Sequence, residues 1–184
     1  TNLAYYVIGD PFNYLIALFP KSQIENVFAL LVFLRMYFSG LSFMLWASSY
    51  QFKKSSRIIG SIAYAFNGYA LATALHHPFF ILPLIFFPLL CYGIDRVLHN
   101  KSWLPLIFAV FLVFLSNFYF AWILGFGSIA YVILRMLSLR KWPDFTPLKS
   151  FGKLVLSAVI GLGMAAIVFL PTIILATGST RLND

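Results

Sequence analysis

The chain has 184 residues, of which 61% are hydrophobic and 19% aromatic, while only 10% are charged. A water-soluble domain carries about a quarter of its residues as Asp, Glu, Lys or Arg, so this composition excludes an ordinary aqueous fold and makes lipid the main solvent. The net charge of +8 does not point to nucleic acid, because the basic residues fall between apolar blocks and form no continuous basic face. Cys91 is the only cysteine and lies inside an apolar run, which leaves no disulfide framework and no cysteine metal site. No cofactor is expected.

The chain opens at Thr1 with no charged, apolar and cleavage-site pattern of a signal peptide, and it reads as an internal segment of a longer protein. Pro11 and Pro20 bracket the run Phe12 to Phe19. That run is about 12 Å long as a helix, too short to span, and reads as an interfacial re-entrant or amphipathic piece. Ser22-Gln23-Ile24-Glu25 fits a capping box, which starts a first spanning helix over about 23–48. The polar stretch with Lys53, Lys54 and Arg57 ends it. A second helix covers 58–75 and stops at His76-His77-Pro78. A third runs over 79–98, bent by Pro83 and Pro88, a tolerable defect where neighbouring helices satisfy the freed carbonyls.

Residues 103–137 are almost uninterrupted apolar positions, about 52 Å if helical and too long for one crossing. The break belongs at Ser116-Asn117-Phe118-Tyr119, giving helices over 103–115 and 120–137. A basic loop over 138–153 precedes a sixth helix over 154–176. With six crossings, Lys53, Lys54, Arg57, Arg96, Lys101, Arg135, Arg140, Lys141, Lys149 and Lys153 fall on one side, and only Lys21 and Arg181 on the other. Merging the fourth and fifth helices would place the basic loop on the wrong side, so the positive-inside rule requires the split. It also makes both ends of the segment extracytoplasmic. The fold expected is a single all-α polytopic transmembrane bundle.

Arg35 lies near mid-membrane in the first helix, where a guanidinium costs several kcal/mol unless it faces a partner, the bundle interior or water. Ser39, Ser42 and Trp46 follow on the same helical face. Two roles stand for Arg35: contact with a phosphate, which its donor fork matches, or a structural hydrogen bond to a kinked neighbour. Ser61, Ala65, Gly68 and Ala72 in the second helix and Ser157, Gly161 and Ala165 in the sixth have the small-residue spacing of close helix packing. Tyr64 and Asn67 flank the first stripe as buried hydrogen-bonding residues. The extracytoplasmic end gathers Asp10, Asn13, Glu25, His76, His77, Asn117, Tyr119, Arg181 and Asp184. His76 and His77 diverge on a helix and cannot chelate as a pair one turn apart does, so they read as headgroup anchors or substrate contacts. Asp10 is the best-placed carboxylate for a general base, although the following Pro11 also suits a turn. The chain contains no nucleotide-binding loop and no zinc or hydrolase motif.

In order and spacing, Pro11-Phe12-Asn13 with Phe19-Pro20, a basic residue four before Ser39-Gly40-Leu41-Ser42-Phe43, Ala63-Tyr64-Ala65-Phe66-Asn67-Gly68-Tyr69, His76-His77-Pro78 and Leu115-Ser116-Asn117-Phe118-Tyr119-Phe120 resemble the bacterial YfhO-like membrane proteins over nearly the whole segment. That family is similar to GT-C glycosyltransferases. The resemblance implies a multi-pass protein of the bacterial cell membrane that transfers a sugar from a polyprenyl-phosphate donor to a cell-envelope polymer, such as a teichoic-acid-type acceptor, on the outer face. It also implies that the main acidic residue lies upstream of this chain, with Asp10 a weak candidate and Arg35, His76, His77, Asn117, Tyr119 and Arg181 available to substrate or phosphate. Membrane lipids, the lipid-linked donor and the acceptor are the partners expected. A transporter or flippase of a lipid-linked intermediate, or a non-catalytic scaffold for envelope assembly, are the other readings.

Overall fold

The computed structural model describes residues 10–74, 76–116, 118–139 and 146–177, with side chains outside 118 and 167–177. The described residues are helical throughout, in seven α-helices: α1 Ile24–Ala47, α2 Lys54–Ala65, α3 Gly68–Ala74, α4 Leu82–Leu98, α5 Leu104–Ser116, α6 Phe118–Leu139 and α7 Pro147–Thr177. Short 3-10 segments at Pro11–Leu18, Lys21–Gln23 and Pro78–Ile81 precede α1 and α4. Four stretches are long and apolar enough to cross a membrane, namely Lys21–Ala47, Pro78–Leu98, Tyr119–Leu139 and Pro147–Ala166. The shorter α5 is also apolar, and α2 and α3 follow one another with a break between them.

The chain departs from the sequence expectation in four places. Helix α2 begins at Lys54, four residues before Ile58, and ends at Ala65, so the single helix expected over 58–75 is two. Asn67 occupies the break: its Nδ2 donates to the Tyr64 carbonyl at 2.7 Å and its Oδ1 accepts from the Ala70 amide at 2.9 Å. One side chain thereby closes one helix and caps the next, which relieves the orphan backbone groups of both ends. Helix α7 begins at Pro147, because the polar residues read as loop can form a helical turn that projects past the apolar layer. Lastly, the capping box is not made. Gln23 sits at the N-cap of α1 without a side-chain cap bond, since the 3-10 turn Lys21–Gln23 feeds directly into the helix.

Helix α4 is central, with 61% of its span buried, whereas α6 buries only 17% of its own. The packing is set by small residues, as expected where no hydrophobic force drives helices together in lipid. A Cβ on Gly40 of α1 would lie 3.2 Å from the Ser61 carbonyl oxygen of α2, and one on Gly93 of α4 would lie 2.6 Å from the Leu106 Cα of α5. A Cβ on Gly161 of α7 would lie 2.7 Å from the Ile107 carbonyl oxygen of α5. The outer surface stays apolar: Phe33, Phe126, Ile133 and Leu137 are all more than half exposed. Such a surface is too extensive for a monomer in water and suits hydrocarbon.

Side-chain contacts fix which helix ends lie together. Tyr50 after α1, together with Tyr131 and Arg135 in the last turns of α6, reaches Asp95 near the end of α4. Lys153 in α7 reaches Asn100 just beyond α4. Lys53, Lys54, Arg57, Arg96, Lys101, Arg135, Lys149 and Lys153 therefore cluster at one end of the bundle. Helices α5 and α6, Leu104–Ser116 and Phe118–Leu139, are separate.

Candidate functional site

The polar group deepest in the bundle forms around Arg35. Arg35 is eleven residues past Ile24 in α1, roughly 17 Å along the helix axis. The 3-10 segment Pro11–Leu18 has 8 residues and covers about 16 Å at 2.0 Å per residue, so it runs back along α1 from the level of Arg35 to the helix start. The run bracketed by Pro11 and Pro20, expected as an interfacial re-entrant or amphipathic piece, is this 3-10 segment packed on α1. Its packing is aromatic: the Phe12 and Phe38 rings lie 5.6 Å apart, and the Arg35 guanidinium sits 5.3 Å from the Phe12 centroid.

Asp10 caps this segment. Its Oδ1 accepts from the Phe12 amide at 2.9 Å, and its Oδ2 accepts from Arg35 Nη2 at 2.5 Å. Arg35 Nη2 also donates to Asn13 Oδ1 at 3.0 Å. The pair is sequestered, with Arg35 2% and Asp10 0% exposed. Mutual neutralisation allows two charges to lie this deep, since either alone would face a desolvation penalty of several kcal/mol. The guanidinium is only half used, however. Its Nε and Nη1 are buried and have no hydrogen-bond partner among the described residues. Unmade hydrogen bonds of a buried cation are expensive, and here two donors, on different edges of the guanidinium, are left open among the described residues.

The expected single gathering of polar residues at one end is corrected by this geometry. Asp10 and Asn13 lie with Arg35 at depth, and no hydrogen bond joins them to His76 or His77 among the described residues. The cause is the re-entrant segment, which carries Asp10 inward instead of leaving it at the surface. Each carboxylate oxygen of Asp10 already accepts a hydrogen bond and the side chain is fully buried, so as placed it orients Arg35. His76 and His77 are exposed. The His77 ring lies 5.4 Å from Phe80, Phe80 lies 5.2 Å from Phe120, and Phe120 lies 5.5 Å from Tyr119. An aromatic rim thus joins the α3–α4 connection to the start of α6 and brings His77 and Tyr119 to one end. Asn117 and Arg181 lie outside the described residues.

A second buried charge lies near the end of α4. Asp95, 2% exposed, accepts from Arg135 Nε at 2.6 Å and from the Tyr131 and Tyr50 hydroxyls at 2.6 and 3.2 Å. Trp46 Nε1 donates to the Tyr131 hydroxyl at 2.9 Å, and the Tyr50 and Tyr131 hydroxyls lie 2.8 Å apart. Burial pushes the Tyr50 phenol above its ordinary value, which keeps it a donor. The network ties α1 and its following turn, α4 and α6 together. The available signal was a carboxylate next to Arg96 and four residues before His99, but its partners lie 36 or more positions away.

An apolar bundle with spanning helices, a re-entrant segment, buried ion pairs and a cationic end defines a multi-pass helical membrane protein. The chain belongs to the family described as bacterial membrane protein YfhO, which matches residues 1–183. No curated protein and no solved structure matches it.

Proposed function

We propose that this protein is a membrane-embedded glycosyltransferase that moves a sugar from a polyprenyl-phosphate donor to a hydroxyl of a cell-envelope polymer on the extracytoplasmic face. The observation that carries the reading is the half-satisfied guanidinium of Arg35. Its Nη2 is fixed by Asp10 and Asn13 while Nε and Nη1 remain unpaired in a buried setting. A buried guanidinium with two donors still to be satisfied, one on each side, suits the oxygens of a phosphate. In the reaction, the acceptor hydroxyl attacks the anomeric carbon, the bond from that carbon to the phosphate oxygen breaks, and the leaving phosphate accepts a hydrogen bond from an Arg35 donor that the fold leaves open. Preorganised charge of this sort acts most strongly where water is excluded. Asp10 holds Arg35 in place, and the base that takes the acceptor proton is a residue outside this site. His77 and Tyr119, on the aromatic rim, face the headgroup region where the acceptor arrives.

A second reading, transport of a lipid-linked intermediate between leaflets, draws on the break between α2 and α3 and on the re-entrant segment, which are features of alternating-access proteins. One assay separates the two. The full-length protein in liposomes is given radiolabelled polyprenyl-phosphate sugar and a polyol-phosphate acceptor. Labelled acceptor supports the transferase, whereas movement of donor between leaflets without labelled acceptor overturns it in favour of transport.

A further inference from the structure

The cationic end of the bundle contains a group of side chains that neither the re-entrant site nor helix packing explains. Arg135 is held there rigidly. Asp95 engages its Nε at 2.6 Å, and its guanidinium lies 5.2 Å from the Tyr50 ring centroid. Among the described residues its two Nη groups have no hydrogen-bond partner, and the side chain remains 19% exposed. The Tyr50 ring in turn stacks on Phe52 at 5.6 Å, and Phe52 is 55% exposed. Lys53 and Lys54 follow directly, both exposed and without a partner among the described residues. One turn further, Arg57 buries an Nε that also lacks one. The two ion pairs found among the described residues are Asp10–Arg35 and Asp95–Arg135, so Lys53, Lys54 and Arg57 have no counter-charge there.

We infer that the 48–53 turn, the first turn of α2 and Arg135 form a headgroup site for an anionic phospholipid. The chemistry of the group selects that partner. An exposed phenylalanine beside lysines at the end of spanning helices belongs at the boundary of headgroups and acyl chains. The forked Nη edge of a fixed arginine matches phosphate oxygens. Three further uncompensated cations favour a headgroup with net negative charge, and a zwitterionic lipid would bring its own cation among them. Lys53 caps α2 without a side-chain cap bond, so free backbone amides of that first turn add to the attraction for a phosphodiester. Asp95 acts here as a positioning residue. It neutralises part of Arg135, holds the guanidinium over the Tyr50 ring and leaves its outer edge to the lipid.

The test uses the purified full-length protein in detergent micelles containing equal phosphatidylglycerol and phosphatidylcholine, with bound lipid counted by native mass spectrometry. Phosphatidylglycerol is expected to be retained preferentially. The double variant Lys53→Ala/Lys54→Ala, which alters exposed side chains only, should weaken that retention about thirtyfold, each cation near an anionic surface being worth roughly a factor of five. The control Lys101→Ala/Lys149→Ala removes the same charge from the same end and should leave retention unchanged. Equal retention of the two lipids in the unaltered protein overturns the inference, as does equal weakening by the two double variants.

Discussion

Tyr64 of α2 donates its hydroxyl to the Leu84 carbonyl of α4 at 3.0 Å, and that carbonyl is the one Pro88, four residues on, leaves without its helical donor. Ser42 of α1 approaches the same oxygen at 3.5 Å. A defect in the central helix is thus mended by the Tyr64 hydroxyl, while Ser42, whose hydroxyl donates to the Ser39 carbonyl at 2.8 Å, stands beside it. Tyr64→Phe should lower stability by about 1 kcal/mol, the usual scale for a hydrogen bond between membrane helices. In a Pro88→Ala background the amide of residue 88 restores the helical bond, so the same change should lose most of its effect. Thermal unfolding of the four proteins in one detergent, followed by circular dichroism, gives the coupling. Equal effects in both backgrounds would show that the hydroxyl acts elsewhere.

Asp95 joins α4 to α6 through Arg135 and two tyrosines. Because Arg135 is about a fifth exposed, solvent screens the pair, and Asp95→Asn should destabilise by about 2 kcal/mol, less than the 3–5 kcal/mol of a fully buried pair broken on one side. Asp95→Leu combined with Arg135→Leu should cost less than the sum of the two single changes. Additive losses in a double-mutant cycle would deny the interaction.

Gly161 and Gly163 lie two residues apart on α7 but face different surroundings. A Cβ at Gly161 meets the Ile107 carbonyl oxygen at 2.7 Å and the Val110 Cβ at 2.8 Å, whereas one at Gly163 meets nothing within 4 Å. Gly161→Ala should therefore destabilise by about 1–3 kcal/mol through overpacking, and Gly163→Ala should be neutral or slightly stabilising in a helix. Comparing the fraction of monodisperse protein surviving a heat step on size-exclusion chromatography orders the two variants. The reverse order would mean that α7 packs on α5 through another face.

Clustering of the basic residues at one end implies that this end faces the cytoplasm. In a Cys91→Ser background, a cysteine introduced by Lys101→Cys should resist an impermeant thiol reagent added outside whole cells, while one introduced by His76→Cys at the opposite end should react. Labelling of the first and protection of the second would invert the orientation.

Much of this architecture was legible because lipid makes the rules strict. Apolar length gave the traverses, and charge alternation required the split between Ser116 and Phe118, where periodicity alone would have allowed one long helix. The small residues Gly161 and Ser61 announced close packing. The break at Asn67 was hidden because Asn and Gly interrupt a membrane helix no more visibly than they line one. Lys54 to Arg57 read as loop because polarity marks the edge of the bilayer, and a helix can begin beyond that edge. The two ion pairs were illegible for another reason. Asp10 and Arg35 are 25 positions apart and Asp95 and Arg135 are 40 apart, so each partnership depends on folding. Arg35 was nevertheless marked by the penalty of a bare guanidinium in hydrocarbon, which demanded some partner before any was known.

The most direct test of the account lies in that guanidinium. With the full-length protein in liposomes, initial rates of sugar transfer are measured for the unaltered protein, Arg35→Lys and Asp10→Asn, each first shown to fold by a cooperative thermal transition. Lysine keeps the charge but loses the planar fork, so Arg35→Lys should lower the turnover number about a hundredfold or more, on the scale of losing one preorganised donor to a developing anion. Asp10→Asn, which loosens the fork without removing it, should fall between. Unchanged turnover in folded Arg35→Lys would contradict the assignment of the open Arg35 donors to the departing phosphate.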